Sequence, residues 1–221
     1  MVDYTGLENR RAERHRGFES LSLRSQRKYK SSVKRDLYFF FFLLKLMIRK
    51  ATIEDLETIL LLIDEGRRKM MAEGNVNQWS GGRPSREMLI KDIAQGVSHL
   101  VVIDGKPVAT FVLIEGPDPT YARIYDGEWQ NDNPYYVIHR VASVAGVHGI
   151  MRTVLNYAFT LTDTIRIDTH NDNVTMRTLL AKYGFSYCGI ILLENGDPRL
   201  AFQKTLLSVE RGALSSERVG T

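Results

Sequence analysis

Two glycines bracket the run Gly146-Val147-His148-Gly149. Before it, Tyr136 to Ser143 reads as a strand, and after it Ile150 to about Leu161 reads as a helix. The first amides of a helix have no intrahelical partner and lie at the positive end of its dipole. A turn of this kind is therefore suited to an anion, and Gly149 lets the anion approach backbone without a Cβ in the way. Neither G-x-x-x-x-G-K-[ST] nor G-x-G-x-x-G is present, which argues against an NTP-binding loop and a dinucleotide fingerprint. On this turn alone, an anion site and a plain glycine-containing loop stand even.

Other residues capable of chemistry lie on the strands. His139 sits within Tyr136–Ser143, and an imidazole with an ordinary pKa of about 6.5 suits proton transfer near neutral pH. Alternation places it on one face with Val141 and Ser143; the plain alternative is a structural histidine at a strand centre. On the strand Ile165 to His170, Asp168 and His170 share the face opposite Ile165 and Ile167. Cys188 is the only cysteine, so no intramolecular disulfide forms, and its apolar surroundings read as core packing.

The elements that must hold these residues follow from periodicity and punctuation. Met47–Ala51 reads as a first strand. Thr52 and Asp55 make a capping box, and Ile53, Leu56, Ile59, Leu60 and Ile63 recur at helical spacing to about Ala72. A second helix runs from Ser85 to Gly96. Leu100–Ile103 and Val108–Ile114 form a hairpin about Asp104-Gly105. The connection Gly116–Pro134 is long enough to suggest function. A helix from Asn173 to Lys182 stops at Gly184, and Phe185–Leu193 with Arg199–Thr205 closes an antiparallel pair. The order β-α-α-β-β-β-α-β-α-β-β, with a parallel crossover at 136–170, predicts an α/β fold: a mixed sheet with helices on both faces.

Charge divides the chain. Residues 1–46 carry eleven Lys and Arg against five Asp and Glu, while the whole chain is only +4. The body is therefore weakly acidic, so no nucleic-acid partner is expected. The leader is read as upstream DNA translated from an early start. Phe39–Phe42 matches a poly-T tract, and Gly17-Phe18-Glu19-Ser20 matches a transfer-RNA T-arm in one frame. A disordered basic tail and a membrane anchor are the alternatives, but the apolar run is short of the roughly 20 residues a spanning helix takes. The expected division is thus a leader over 1–46, a domain over 47–206 and a disordered tail over 207–221, with a cytoplasmic setting and no membrane partner.

From Met47 to Leu206 the chain resembles the GNAT superfamily of acyl-CoA N-acyltransferases. The resemblance rests on His139-Arg140-Val141-Ala142-Ser143, on Asn173, and on Lys182-Tyr183-Gly184-Phe185. The family's Q/R-x-x-G-x-G/A loop falls on Gly146 to Met151, with Gly149 as the middle glycine; Gly146 and Met151 replace the outer positions. The resemblance implies a splayed sheet of about seven strands. It implies transfer of an acetyl group from acetyl-CoA, with no metal, to a primary amine of a small molecule or peptide. Its strands part after Val141, and the pantetheine arm bonds backbone near Val141 and Ser143. The pyrophosphate lies on the amides of Val147, His148, Gly149, Ile150, Met151 and Arg152, and Asn173 reaches the arm from the other side. An N–H near Ala142 stabilises the oxyanion, and His139 is the base, with Asp168 and His170 as alternatives that would act through a water. Trp79, Tyr125, Trp129 and Tyr136 line the acceptor pocket. Leu180 stands where the family often has a tyrosine acid. A non-catalytic acyl-CoA-binding module is the rival reading, and a homodimer through the C-terminal hairpin edge is compatible with either.

Overall fold

The computed structural model describes residues 46–207. The readings of the basic leader, its phenylalanine run and the C-terminal tail lie outside these residues. Seven strands form one sheet: β1 (Leu46–Lys50), β2 (Ser98–Ile103), β3 (Lys106–Glu115), β4 (Tyr136–Ser143), β5 (Thr164–Thr169), β6 (Ser186–Leu192) and β7 (Pro198–Thr205). Their spatial order is β1-β2-β3-β4-β5-β7-β6. Among the described residues, four α-helices pack on the sheet: α1 (Leu56–Ala72), α2 (Arg86–Ala94), α3 (Ile150–Ala158) and α4 (Val174–Lys182). Element order and types are those expected from the periodicity. The third helix is three residues shorter than expected, because Thr162 turns back and its hydroxyl accepts the Thr164 amide.

The two faces are covered by different helices. The apolar stripe of α1 (Ile59, Leu62, Ile63) and Leu89 of α2 pack on Leu100, Val102 and Ala142. On the other face, Tyr157 of α3 meets the stacked rings of His99 and Phe111.

Two irregularities in β4 decide where functional groups point. Against β3, Ala142 lies opposite Thr110 and His139 opposite Val112, so Arg140 and Val141 together face Phe111. This is a β-bulge, and Arg140 takes a left-handed φ of 54° there, a conformation that bulges accommodate at a cost. The extra residue cancels one step of alternation. His139 therefore shares the α1 face with Ala142 and lies opposite Ser143, which corrects the face assigned by simple alternation. The second irregularity is the parallel pairing of β4 with β5, which is confined to Tyr136↔Ile165 and Val137↔Arg166. The strands part after Val137, four residues before the expected Val141.

The bulge is anchored from below. The Arg140 guanidinium lies 3.1 Å from the Asp92 carboxylate of α2, and both atoms lack any properly angled hydrogen bond. Burial holds the Asp92 pKa above its ordinary value, although Arg140 pulls the other way. Removing one member of a buried pair strands the other charge. Arg140→Ala should therefore destabilise the protein by about 3–5 kcal/mol, read by denaturant unfolding at neutral pH. Asp92 can escape by taking a proton, and its folded pKa lies above the unfolded one, so the deficit should shrink as pH falls. Arg140→Ala combined with Asp92→Asn should recover most of it.

Candidate active site

The long connection between β3 and β4 is fastened at several points. The Gly116 amide donates to Tyr135 O at 2.9 Å, and Tyr125 and Ile190 exchange backbone bonds at 2.8 Å. A Cβ on Gly127 would stand 2.1 Å from Cys188 O, so only glycine permits this close approach to β6. Arg166 of β5 lies between the rings of Trp129 and Tyr135 at 4.0 and 3.9 Å. Trp129 also stacks on Tyr121 and donates its indole N–H to Tyr121 O at 3.1 Å. The connection thus delivers Asp118 and Tyr121 to the α1 side of the sheet, beside the point where β4 and β5 part.

There His139 stands between two carboxylates. Its Nε2 is 3.3 Å from Asp118 Oδ2, and its Nδ1 is 3.5 Å from Asp168 Oδ1. The Tyr121 hydroxyl donates to Asp168 Oδ1 at 2.6 Å, and the edge of its ring meets the imidazole. Asp118 is itself fixed by the Thr120 amide, which donates to Oδ1 at 2.8 Å. Burial disfavours the His139 imidazolium, but the two carboxylates outweigh it and raise the pKa to about 8. Burial likewise pushes Asp118 up, yet hydrogen bonds from His139 and Thr120 prevail and bring it to about 2. Asp168 is also held below the ordinary value despite burial, by His139 and the Tyr121 hydroxyl. Burial and the Asp168 charge raise the Tyr121 phenol well above 10, so it stays a donor. The imidazole is 21% exposed, enough to meet a substrate.

The sequence nominates His139 and Asp168, which the structure brings together, but not Asp118 or Tyr121, which join them. Asp118 lies between Pro117 and Pro119 in the long connection. An acidic residue fixed between two prolines was the one available signal.

Above the parting strands, Gly146 and Gly149 take left-handed φ values of 77° and 81°. Nothing stands within 4 Å of where a Cβ would be at either. The first bond into α3 runs from Thr153 N to Gly149 O at 3.0 Å. The amides of Ile150, Met151 and Arg152 therefore precede the intrahelical ladder. His148 and Arg152 are exposed, Val147 is half-buried, and the Ile150 and Met151 side chains enter the core. An open turn, free helix amides and an exposed guanidinium fit a pyrophosphate, and β4 beyond Val137 presents backbone with no β5 partner to an extended arm.

The remaining residues separate. Asn173 caps α4, its Oδ1 accepting the Met176 amide at 2.9 Å while its Nδ2 donates to Gln78 Oε1 at 2.7 Å. Both ends of the amide are engaged, and they tie the loop after α1 to the wall of the opening. Thr169 donates to the same Gln78 oxygen at 3.1 Å. Trp79 packs where Gly66 of α1 leaves room, with a Gly66 Cβ position only 3.0 Å from the ring and 3.1 Å from Ala142 Cβ. Beside Trp79, a cleft of about 130 Å³ is bounded by Arg67, Met70, Met71 and Val76. Trp129 belongs to the cluster with Tyr121, and Tyr125 bridges to β6. Tyr136, three unbulged residues before His139, faces the opposite side of the sheet. The four aromatics therefore do not share one wall; Trp79 alone borders the cleft.

No protein-family model matches the chain, and no curated protein matches it. Solved structures do. The chain is similar to an acetyltransferase of the GNAT family from Streptococcus agalactiae, at 33% identity and a TM-score of 0.64, over 74% of this chain and 96% of that one. It is also similar to a GNAT-family acetyltransferase from Listeria monocytogenes, at 21% identity and 0.56, over 73% and 95%. A third similar structure is AAC(6')-Ib in complex with ribostamycin and coenzyme A, at 19% identity and 0.51, over 76% and 97%.

Proposed function

Because this chain belongs to the GNAT family of acetyltransferases, we propose that it transfers the acetyl group of acetyl-CoA to a primary amine by direct attack, with His139 as the base. The observation that carries this reading is the opening of β4 from β5 after Val137, with His139 at its edge between two carboxylates. Acetyl-CoA supplies the activated acyl thioester. Backbone around Val141, Ala142 and Ser143 would receive its arm, and the amides from Val147 to Arg152 its pyrophosphate.

The amine arrives on the face to which His139 points, the α1 side. The Asp118 and Asp168 carboxylates attract it as the ammonium ion, which releases one proton to solvent before the free amine attacks. Neutral His139 takes the proton that the nitrogen loses as it bonds to the acyl carbon. As the C–S bond breaks, the imidazolium carries that proton for the departing thiolate. Such a relay suits a chain in which Leu180, wholly buried, stands where a tyrosine acid is common. An N–H of the bulged strand near Ala142 stabilises the oxyanion.

Calorimetry with acetyl-CoA and thiol release with a panel of primary amines test the reading. Saturable binding together with amine-dependent release is expected. Leu180 favours one rival, a binder that does not turn over, and binding without release across the panel would decide for it. Absence of acetyl-CoA binding would overturn both.

A further inference from the structure

Besides Arg166, whose guanidinium is enclosed by Trp129 and Tyr135 and donates to Asn131 O and Gln203 Oε1, the α1 face of the sheet carries a second buried guanidinium that the transfer chemistry does not use. Arg199 of β7 is only 5% exposed. In the β5–β7 ladder, Asp168 lies opposite Ala201 and Thr169 opposite Leu200. Arg199 is therefore two residues from Ala201 on the same face as Asp168, about 7 Å further along. Among the described residues, its partners are carbonyls alone. It donates to Pro198 O at 2.9 Å and, at a long 3.4 Å, to Gln78 O. Buried guanidinium groups normally meet a carboxylate or another anion, and among the described residues this one forms no ion pair. A like charge also stands near. Burial foremost, and the positive charge of Arg83, pull the Arg199 pKa below its ordinary value, while Asp168 and Asp197 act in the opposite sense.

Charge along this face is thus ordered. Next to His139 stand the carboxylates of Asp118 and Asp168, and about 7 Å on stands an arginine without an anion. A molecule with an ammonium at one end and an oxyanion a few bonds away meets opposite charge at both ends. The oxyanion can take the fork of Arg199 at the bidentate geometry that guanidinium favours. A polycationic amine would instead set a positive charge against Arg199 and Arg83.

We propose that the acceptor is a zwitterionic amine, and that the buried Arg199 of β7 binds its oxyanion while His139 and its carboxylates receive the amine. The inference rests on the acetyltransferase reading above. A carboxylate, as in a free α-amino acid, and a phosphate share the required chemistry.

The test compares acceptors that differ only in the anion. Thiol release is measured for phenylalanine against phenethylamine, for methionine against methioninamide, and for O-phosphoethanolamine against ethanolamine. At least one anionic member should exceed its partner in kcat/KM by about 10–100-fold, the range of a charge-assisted hydrogen bond, and the pair concerned tells carboxylate from phosphate. Arg199→Gln should raise KM for that acceptor by a similar factor with a much smaller change in kcat, and should erase the preference. Arg199→Lys should restore part of it. Unchanged acetyl-CoA affinity of the variants by calorimetry shows that they are folded. Should Arg199→Gln fail to fold, the pairs measured on the unmodified protein still decide. Amines acetylated without regard to the anion, or a preference that survives Arg199→Gln, overturn this inference and leave the acetyltransferase intact. A silent panel with acetyl-CoA bound overturns the enzyme reading and the inference with it.

Discussion

Replacing His139 with glutamine should lower kcat by about 10²–10⁴-fold, the usual contribution of a general base, and leave acetyl-CoA binding unchanged. Glutamine keeps a polar side chain between Asp118 and Asp168 but cannot carry a proton through the reaction. The pH profile gives an independent readout. His139 titrates at about 8, and a base must be neutral to act. In the parent protein, kcat should therefore rise about tenfold per unit below pH 8 and level above it. The glutamine variant should lose that limb and retain only the dependence due to the amine itself. An identical limb in parent and variant would remove His139 from the mechanism. A rate that falls through pH 8 would make the imidazolium the essential form.

The same pair of carboxylates affects stability in the opposite direction. The folded pKa of His139 lies above the unfolded value of about 6.5. Its linkage contribution is therefore complete below about 6.5 and disappears as pH rises through about 8. His139→Gln should cost more stability at pH 6 than at pH 9, as read by denaturant midpoints. Base catalysis and stability thus draw on different protonation states of one residue, which separates a catalytic role from a purely structural one.

Much of this arrangement was legible in the chain because it depends on short-range rules. Apolar spacing, the Asp104-Gly105 hairpin and Gly184 mark elements through interactions a few residues apart. His139 and Asp168 could be nominated because their strands were legible. What was hidden depends on contacts across the sheet. The bulge at Arg140 has no glycine or proline to announce it; its left-handed residue is held by Asp92 from α2. One unannounced residue reversed the face of His139 relative to Ser143. Asp118 reaches His139 across 21 residues of chain, through a connection whose course is set by stacking around Arg166 rather than by any period. Tyr136 shows the same limit from the other side: aromatic character suggested a pocket, but its place in the ladder turned it away. The resemblance makes Asn173 a contact to the pantetheine arm, whereas its amide binds Gln78 and Met176, a pairing that needs the loop after α1 to be in place.

The turn before α3 permits a substitution in which helix stability and cofactor binding respond separately. Gly149 is the N-cap of α3, with φ 81° and ψ 2°. Asp and Asn are the non-glycine residues that best tolerate this left-handed region, and both are good N-caps. No neighbouring atom stands within 4 Å of the added Cβ. Gly149→Asp should therefore fold with at most a modest loss of stability. Its carboxylate, however, would lie before the free amides of Ile150 to Arg152, the place assigned to the pyrophosphate. Two unit charges about 4 Å apart near a protein surface repel by about 4 kcal/mol at an effective dielectric of 20. Acetyl-CoA affinity should accordingly fall by about a hundredfold or more, allowing for partial screening. Gly149→Asn is the control, since it adds nearly the same volume and capping capacity without the charge, and it should bind acetyl-CoA within about tenfold of the parent. Calorimetry at two salt concentrations completes the test, because a repulsion between charges weakens as ionic strength rises. Equal loss in both variants would point to blocked space instead of charge, and full affinity in Gly149→Asp would move the pyrophosphate away from this turn.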